Sequence, residues 1–300
     1  MIRPSAQVLP VALGHVPAAE WAAALVVRHS ARTFTGKAVD APTLQRLELL
    51  CEGLPAPEVA RVVLVRDVPD IVFTGFVGSY GRVIGSPSAL LMIATETAPT
   101  FQESAGYLGE AVILEATSLG LGTCWIAGFF DRAVASTLVP LAPGERVLSI
   151  SPLGYAEPRP RAGERMMKRM VGAHKRKPVE VIAPEFDEES WPAWAAEGVR
   201  LARVAPSAVN RQPWRFELDR AATASGLSAE DLLPAGAVTL SAVTKGPEGN
   251  VPRRLDCGIA MLHFEVGARL MGASGRWESL EPPSVARYRL IGPAENPAET

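Results

Sequence analysis

The chain has 300 residues, 48% hydrophobic and 21% charged, enough to bury a large core without staples. A formal net charge of −2 excludes a global attraction to nucleic acid or to an anionic membrane. Cys51, Cys124 and Cys257 are odd in number and far apart, with no CxxC or Cys/His cluster, so neither a disulfide framework nor a zinc site is expected.

The first residues, Met1 to Ala6, lack a charged segment followed by an apolar run. Apolar stretches are interrupted well short of a bilayer span, and a soluble protein of the reduced cytoplasm is expected. Helical periodicity covers Ala18 to Val27, and a second helix follows Ala41-Pro42-Thr43 to about Cys51. Val59 to Val65 and Ala89 to Ala94 are β-branched or apolar runs that predict strands. Phe101 to Leu119 predicts a long, weakly polar helix ended by Gly120-Leu121-Gly122, and packed on both sides. Val147 to Leu153 predicts a third strand, closing at Gly154-Tyr155.

From Pro158 to Lys177 the chain turns basic, with Arg159, Arg161, Arg165, Lys168, Arg169, Lys175, Arg176 and Lys177. Such a run reads first as a solvated loop. A nucleic-acid contact is disfavoured by the balanced charge and the lack of interleaved aromatics. Pro184 to Pro192 reads as a connector, dividing the chain into halves 1–185 and 186–300. Trp194 to Val204 predicts a helix, Trp214 to Leu218 and Ala237 to Val243 predict strands, and Leu255 to Met271 a second long helix. The two long helices superpose with Leu114-Glu115 on Phe264-Glu265 and Gly122 on Gly272, two residues being inserted before Trp277 relative to Trp125. Internal duplication about a pseudo-twofold axis is expected.

Three segments carry chemistry. In Arg28-His29-Ser30-Ala31-Arg32-Thr33-Phe34, two arginines flank a hydroxyl just past a helix end, a set suited to charge-assisted bonds to phosphate, or to plain solvation. In Ala205-Pro206-Ser207-Ala208-Val209-Asn210-Arg211-Gln212-Pro213-Trp214, a proline-set turn offers Asn210 and Gln212 to a heterocycle edge, or to the turn itself. Gly120-Leu121-Gly122-Thr123-Cys124-Trp125-Ile126-Ala127-Gly128-Phe129 allows close backbone approach to a flat ligand and fails the GxGxxG dinucleotide pattern.

Together these segments resemble the nitroreductase family of flavin oxidoreductases. Arg28-x-Ser30-x-Arg32-x-Phe34 resembles its phosphate-binding opening, and Ala205-Pro206-Ser207-x-x-Asn210-x-Gln212-Pro213-Trp214 its most diagnostic motif. The 119–129 segment is similar to its third signature; Leu153-Gly154-Tyr155 and Arg176-Lys177-Pro178 resemble its closing strand and late basic ligand. The resemblance implies an α+β, nitroreductase-like fold, in two related halves packed as a pseudo-dimer, with central sheets flanked by helices. The order of motifs departs from ordinary members: Leu54-Pro55-Ala56-Pro57-Glu58 has lost the Pro-Ser-Asn turn, which stands only in the second half, and no Arg-x-Ser-x-Arg precedes Trp194. Members build each FMN site from two subunits, so one surviving site across the two halves of a single chain, and a monomer, are implied.

Carried over by position, the resemblance assigns Arg28, Ser30 and Arg32 to the FMN phosphate and ribityl, with His29 beside them. Arg176 adds a late positive charge near His174 and Lys175. Pro206, Ser207 and Asn210 meet the flavin from the opposite half, the N–H groups of Ala127 and Gly128 address N5 and O4, and Arg82 meets the pyrimidine edge. The resemblance further implies NAD(P)H as donor and a small aromatic or quinone-like acceptor, with no protein acid or base at the hydride step. A flavin-binding protein without reductase turnover would carry the same residues.

Overall fold

The computed structural model describes residues 7–73, 82–159, 164–165, 169, 172, 175–219, 236–243 and 251–293. His174 and most of the 160–174 stretch lie outside them. In chain order the elements are β1 (Gln7–Val8), α1 (Ala18–Val27), α2 (Ala41–Glu52), β2 (Ala60–Arg66), β3 (Ser88–Thr95), α3 (Phe101–Ser118), β4 (Gly122–Thr123), α4 (Arg132–Thr137) and β5 (Glu145–Gly154). They continue as α5 (Val179–Ile182), α6 (Ala193–Ala202), β6 (Trp214–Asp219), β7 (Ala237–Ala242), α7 (Arg253–Leu270), β8 (Ala273–Ser279) and β9 (Ser284–Pro293).

The fold is α+β, with two antiparallel sheets and the long helices between them. Strand β3 shows why it lies at the centre of its sheet. Its sequence Ser-Ala-Leu-Leu-Met-Ile-Ala-Thr lacks polar alternation, so neither face can be left in water. Leu90, Met92 and Ala94 join the main core with α1, α3 and α7, while Ala89, Leu91 and Ile93 join a second core with Cys124, Ile126, Val147 and Ile150. Helix α2 starts where Asp40 accepts the N–H of Thr43 at 3.0 Å, and Pro42 fits its first turn.

The two sheets repeat one plan. The first runs β2-β3-β5-β4, and the second runs β6-β7-β9-β8, with β1 added on the outer edge of β8. In each, a long helix joins the second strand to the third: α3 from β3 to β4, α7 from β7 to β8. The landmarks align two residues away from the register expected from sequence. Phe101 falls on Arg253, Ser118 on Leu270, and Trp125 on Trp277 without insertion; Gly120 (φ 80°), not Gly122, matches Gly272 (φ 73°).

The helices α3 and α7 cross in a reciprocal contact. A Cβ on Gly106 would overlap the carbonyl oxygen of Leu255, and a Cβ on Gly258 would overlap that of Glu103. In the same alignment Gly106 matches Gly258 and Glu103 matches Leu255, so the contact maps onto itself about a local twofold axis, as isologous interfaces do. The crossing is also rich in buried carboxylates, each paired. Arg254 clamps Glu103 at 2.6 Å, Tyr107 donates to Glu265 at 2.6 Å, and Trp21 and Arg46 both donate to Glu115.

The N-terminal arm departs from the division at 185. Gln7 and Val8 pair with Ser279 and Glu278, and Leu9 donates its N–H to Trp277 O at 2.9 Å, so residues 7–9 extend the second sheet. Among the described residues no helix is long and apolar enough to cross a membrane.

Candidate functional site

Helix α1 ends at Val27, and the chain leaves it extended at Arg28 (φ −59°, ψ 128°). The next residues thread between β4 and the strand-like Ile84. Ala31 N donates to Thr123 O at 2.9 Å, Ile84 N to Arg32 O at 3.0 Å, and Phe34 N to Ile84 O at 3.0 Å. Gly122 permits this approach: a Cβ there would lie 2.8 Å from the Ala156 Cβ and 3.1 Å from that of Ala31. The arginines at 28 and 32 are thereby held at the edge of the first sheet. Among the described residues Nη1 of Arg28 is buried without a hydrogen-bond partner, an arrangement that costs free energy unless an acceptor arrives. His29 is exposed, its ring nitrogen 3.3 Å from Val27 O, and Ser30 is half-buried beside Thr123.

Arg176 reaches the same place from the late basic stretch. Its guanidinium donates to Asn210 Oδ1 at 2.9 Å and to Val204 O at 3.3 Å. Burial pulls its pKa below the usual arginine range, and the charges of Arg28 and Arg203 pull it further. The guanidinium groups of Arg28, Arg176 and Arg203, from three separate segments, are thus close enough to act on one another, which is an anion-binding arrangement. Sequence reading expected solvation for the run as a whole, yet Lys177 is also drawn inward: its Nζ donates to Arg211 O and Gln212 O at 2.8 Å each.

The turn from Ala205 to Trp214 follows α6. Asn210 and Gln212, expected to offer their amides either to a ligand or to the turn, spend them within the protein. Asn210 Nδ2 donates to Gly172 O and Lys175 O at 2.7 and 2.8 Å, and Gln212 Oε1 accepts from Lys177 N at 2.8 Å. Through its Oδ1, Asn210 also holds the Arg176 guanidinium. Ser207 Oγ accepts the N–H of Gln212 at 2.9 Å, and Pro206 is half-buried. Val209, Asn210 and Gln212 all have positive φ (46°, 56° and 46°), a strain of about 1–3 kcal/mol each that the surroundings must impose. Asp256, in the first turn of α7 and 1% exposed, supplies that constraint. It accepts Ala208 N at 3.1 Å and Arg211 Nε at 2.7 Å. Burial pushes its carboxyl up to about 6, against the opposing pull of Arg211 and the Ala208 N–H.

The glycine loop closes the third side. Cys124 is buried and donates its N–H to Ser151 Oγ, Ile126 pairs with Ile150, and the chain then emerges at the half-buried Ala127 and Gly128. Among the described residues the N–H groups of Ala127 and Gly128 donate to nothing. A Cβ on Gly128 would sit 3.6 Å from Val251 Cγ2, and Val251 O accepts Arg211 Nη2 at 2.8 Å, so the loop abuts the second-half turn. Arg82 is exposed and donates to Asp70 O at 3.3 Å, beside the Phe73–Phe130 bridge at the loop's far end.

Sequence reading missed two members. Glu164, buried within the basic run, accepts Thr33 Oγ1 at 3.0 Å and Arg32 N at 3.3 Å. Asp256 carries no motif signal either, because an acid in a first helical turn is ordinary. A buried orphan guanidinium nitrogen, concentrated cations and two free backbone N–H groups fit a ligand joining a phosphate to a flat heterocycle with acceptor edges, as FMN does. The described residues include no cluster of three or more His, Cys, Asp or Glu that could hold a metal.

Residues 20–268 match the family model described as "Putative TM nitroreductase". Among solved structures, a "putative nitroreductase" of Thermotoga maritima MSB8 is 21% identical over 93% of this chain and 97% of its own, with a TM-score of 0.53. Shorter matches include an FMN-dependent nitroreductase of Clostridium difficile R20291, 20% identical over 46% of this chain and 89% of its own with a TM-score of 0.39. A nitroreductase with bound FMN from Bacteroides fragilis NCTC 9343 is 19% identical over 48% of this chain and 96% of its own, with a TM-score of 0.37. No curated protein matches the chain.

Proposed function

We propose that this chain, which belongs to the TM nitroreductase family, holds one FMN across its two halves and passes electrons from NAD(P)H to a small aromatic or quinone-like acceptor. The observation that carries the reading is the buried, partnerless Nη1 of Arg28 beside Arg176, itself bonded to Asn210 of the second-half turn. First-half and second-half groups meet at a single anion site.

Arg28, Ser30, Arg32 and Arg176 would hold the phosphate and ribityl, with His29 at the exposed rim. Ala127 and Gly128 would offer backbone N–H groups to N5 and O4. Pro206 and Ser207 would wall the ring from the opposite half, with Asn210 keeping Arg176 aimed, and Arg82 would meet the pyrimidine edge. Bound FMN would supply the two-electron chemistry, so no protein acid or base is assigned. The chain's residues bind, orient and place positive charge and N–H donors where negative charge gathers. The shared strand order and the reciprocal glycine crossing support an origin by duplication, with functional halves near 1–185 and 186–300, a swapped N-terminal arm and a self-contained monomer.

Purified protein is expected to show flavin absorbance at about one FMN per chain, with the cofactor identified by release and chromatography, and to oxidise NADH or NADPH when a quinone is added. Arg28→Ala should weaken FMN binding by roughly ten- to a hundredfold, the worth of one charge-assisted bond, measured by quenching of flavin fluorescence. A colourless wild-type chain that also fails to take up added FMN would sink the proposal.

A further inference from the structure

We propose that Glu110 and His263 are positioning residues that hold the two walls of the cofactor site, the 120–129 loop and the 205–214 turn, in register across the chain's two halves. The inference rests on the FMN reading for its functional meaning, and on hydrogen bonds alone for its physical content.

Glu110 on α3 and His263 on α7 are both 0% exposed. His263 Nε2 lies 2.8 Å from Glu110 Oε1, and Nδ1 lies 3.2 Å from Leu201 O. A carbonyl oxygen only accepts, so Nδ1 carries a hydrogen. One further proton then lies between Nε2 and Oε1, and the bond exists whichever atom holds it. The other carboxylate oxygen accepts the indole N–H of Trp125 at 2.5 Å.

The ends of this chain of bonds give it a purpose. Leu201 stands in the last turn of α6, where its carbonyl also accepts the N–H of Val204 at 3.1 Å, and the Ala205–Trp214 turn begins just beyond it. Trp125 stands two residues before Ala127, whose N–H donates to nothing among the described residues. The indole fits because Gly109 has no side chain: a Cβ there would lie 2.6 Å from its Cη2 atom. An apolar pair at 110 and 263 would cost less desolvation, but it would leave the loop and the turn without a common anchor. A fully satisfied buried network specifies one arrangement.

The test compares Glu110→Leu, Glu110→Gln and Trp125→Phe by amide hydrogen exchange and by FMN titration. Glutamine can donate to a bare Nε2 and still accept the indole N–H, so it preserves both bonds without charge. Glu110→Leu should speed exchange in 122–129 and 203–212 by about tenfold and weaken FMN by about thirtyfold. Glu110→Gln should stay within about threefold of wild type on both readouts. Trp125→Phe should loosen 122–129 alone. A folded Glu110→Leu with unchanged exchange and affinity would overturn the proposal, as would a glutamine variant as impaired as leucine. Should Glu110→Leu fail to fold, unchanged loop exchange in Trp125→Phe would overturn it as well. If wild type takes up no FMN, the functional reading falls, while the exchange comparison still decides whether the network holds the walls.

Discussion

Gly258→Ala is expected to unfold about 8 °C below the wild-type chain, a loss of about 3 kcal/mol for a domain of this size. At most positions within a helix this change is favourable, because alanine has the better propensity by about 1 kcal/mol. Here the added Cβ would enter the space of Glu103 O, and the matching change at Gly106 would strike Leu255 O. Backbone atoms cannot swing aside as a flexible side chain does, so α3 and α7 must separate. Every pair around the crossing would be stretched, including Glu103–Arg254 and Tyr107–Glu265. Gly14→Ala is the control, since a Cβ there meets nothing within 4 Å, and it should stay within about 0.5 kcal/mol of wild type. Thermal unfolding of the three chains decides the matter. A Gly258→Ala melting point equal to that of the control would mean that the helices do not cross this closely.

Asp256→Ala is expected to cost about 3–5 kcal/mol in urea unfolding at neutral pH, the usual result of removing one partner of a buried ion pair. The loss has two parts, an Arg211 guanidinium left without its carboxylate and an Ala208 N–H left without an acceptor. The same change should abolish detectable FMN uptake, because Val209, Asn210 and Gln212 would relax from positive φ once the clamp is gone. Asp256→Asn keeps one acceptor oxygen and should cost less than half as much. Its pH response separates the charge from the hydrogen bond. The folded carboxyl titrates at about 6 against an unfolded value of 3.8, so the native state holds the proton more tightly than the unfolded chain. Stability from this group is therefore complete below about pH 4 and is lost as the pH rises through 6. Wild type should decline relative to Asp256→Asn by on the order of 3 kcal/mol across that window. Parallel stability curves for the two chains would refute the assignment.

The long helices and β3 were legible because their apolar periodicity runs for many residues, and their observed limits fall close to those expected. The Arg28–Phe34 opening, the glycine loop and the Ala205–Trp214 turn were visible as punctuation, through proline, glycine and small polar residues at element ends. Strands β8 and β9 were not, since Arg276, Glu278, Arg287 and Arg289 interrupt their apolar pattern. Glu278 pairs with Arg289 across the strands at 3.1 Å and with Arg276 on its own strand at 3.6 Å, while Arg287 pairs with Asp219 of β6 at 3.4 Å, which local pattern cannot reveal. The two-residue error in matching the helices has a similar source: Leu-Glu resembles Phe-Glu in composition, whereas the true landmarks are a left-handed glycine and a close crossing.

By itself the sequence determined the long helices and the more apolar strands, where the chain must turn between them, and which chemical groups stand at those turns. Local propensity and periodicity act over a few residues, and such information survives without a partner. Only the tertiary structure decided what each polar group does. Glu110 and His263 lie 153 residues apart in the chain, Arg254 and Glu103 lie 151 apart, and Arg32 and Glu164 lie 132 apart. A carboxylate on an apolar helix is costly until its partner arrives, and that partner is supplied by how the sheets and helices of the two halves close on one another.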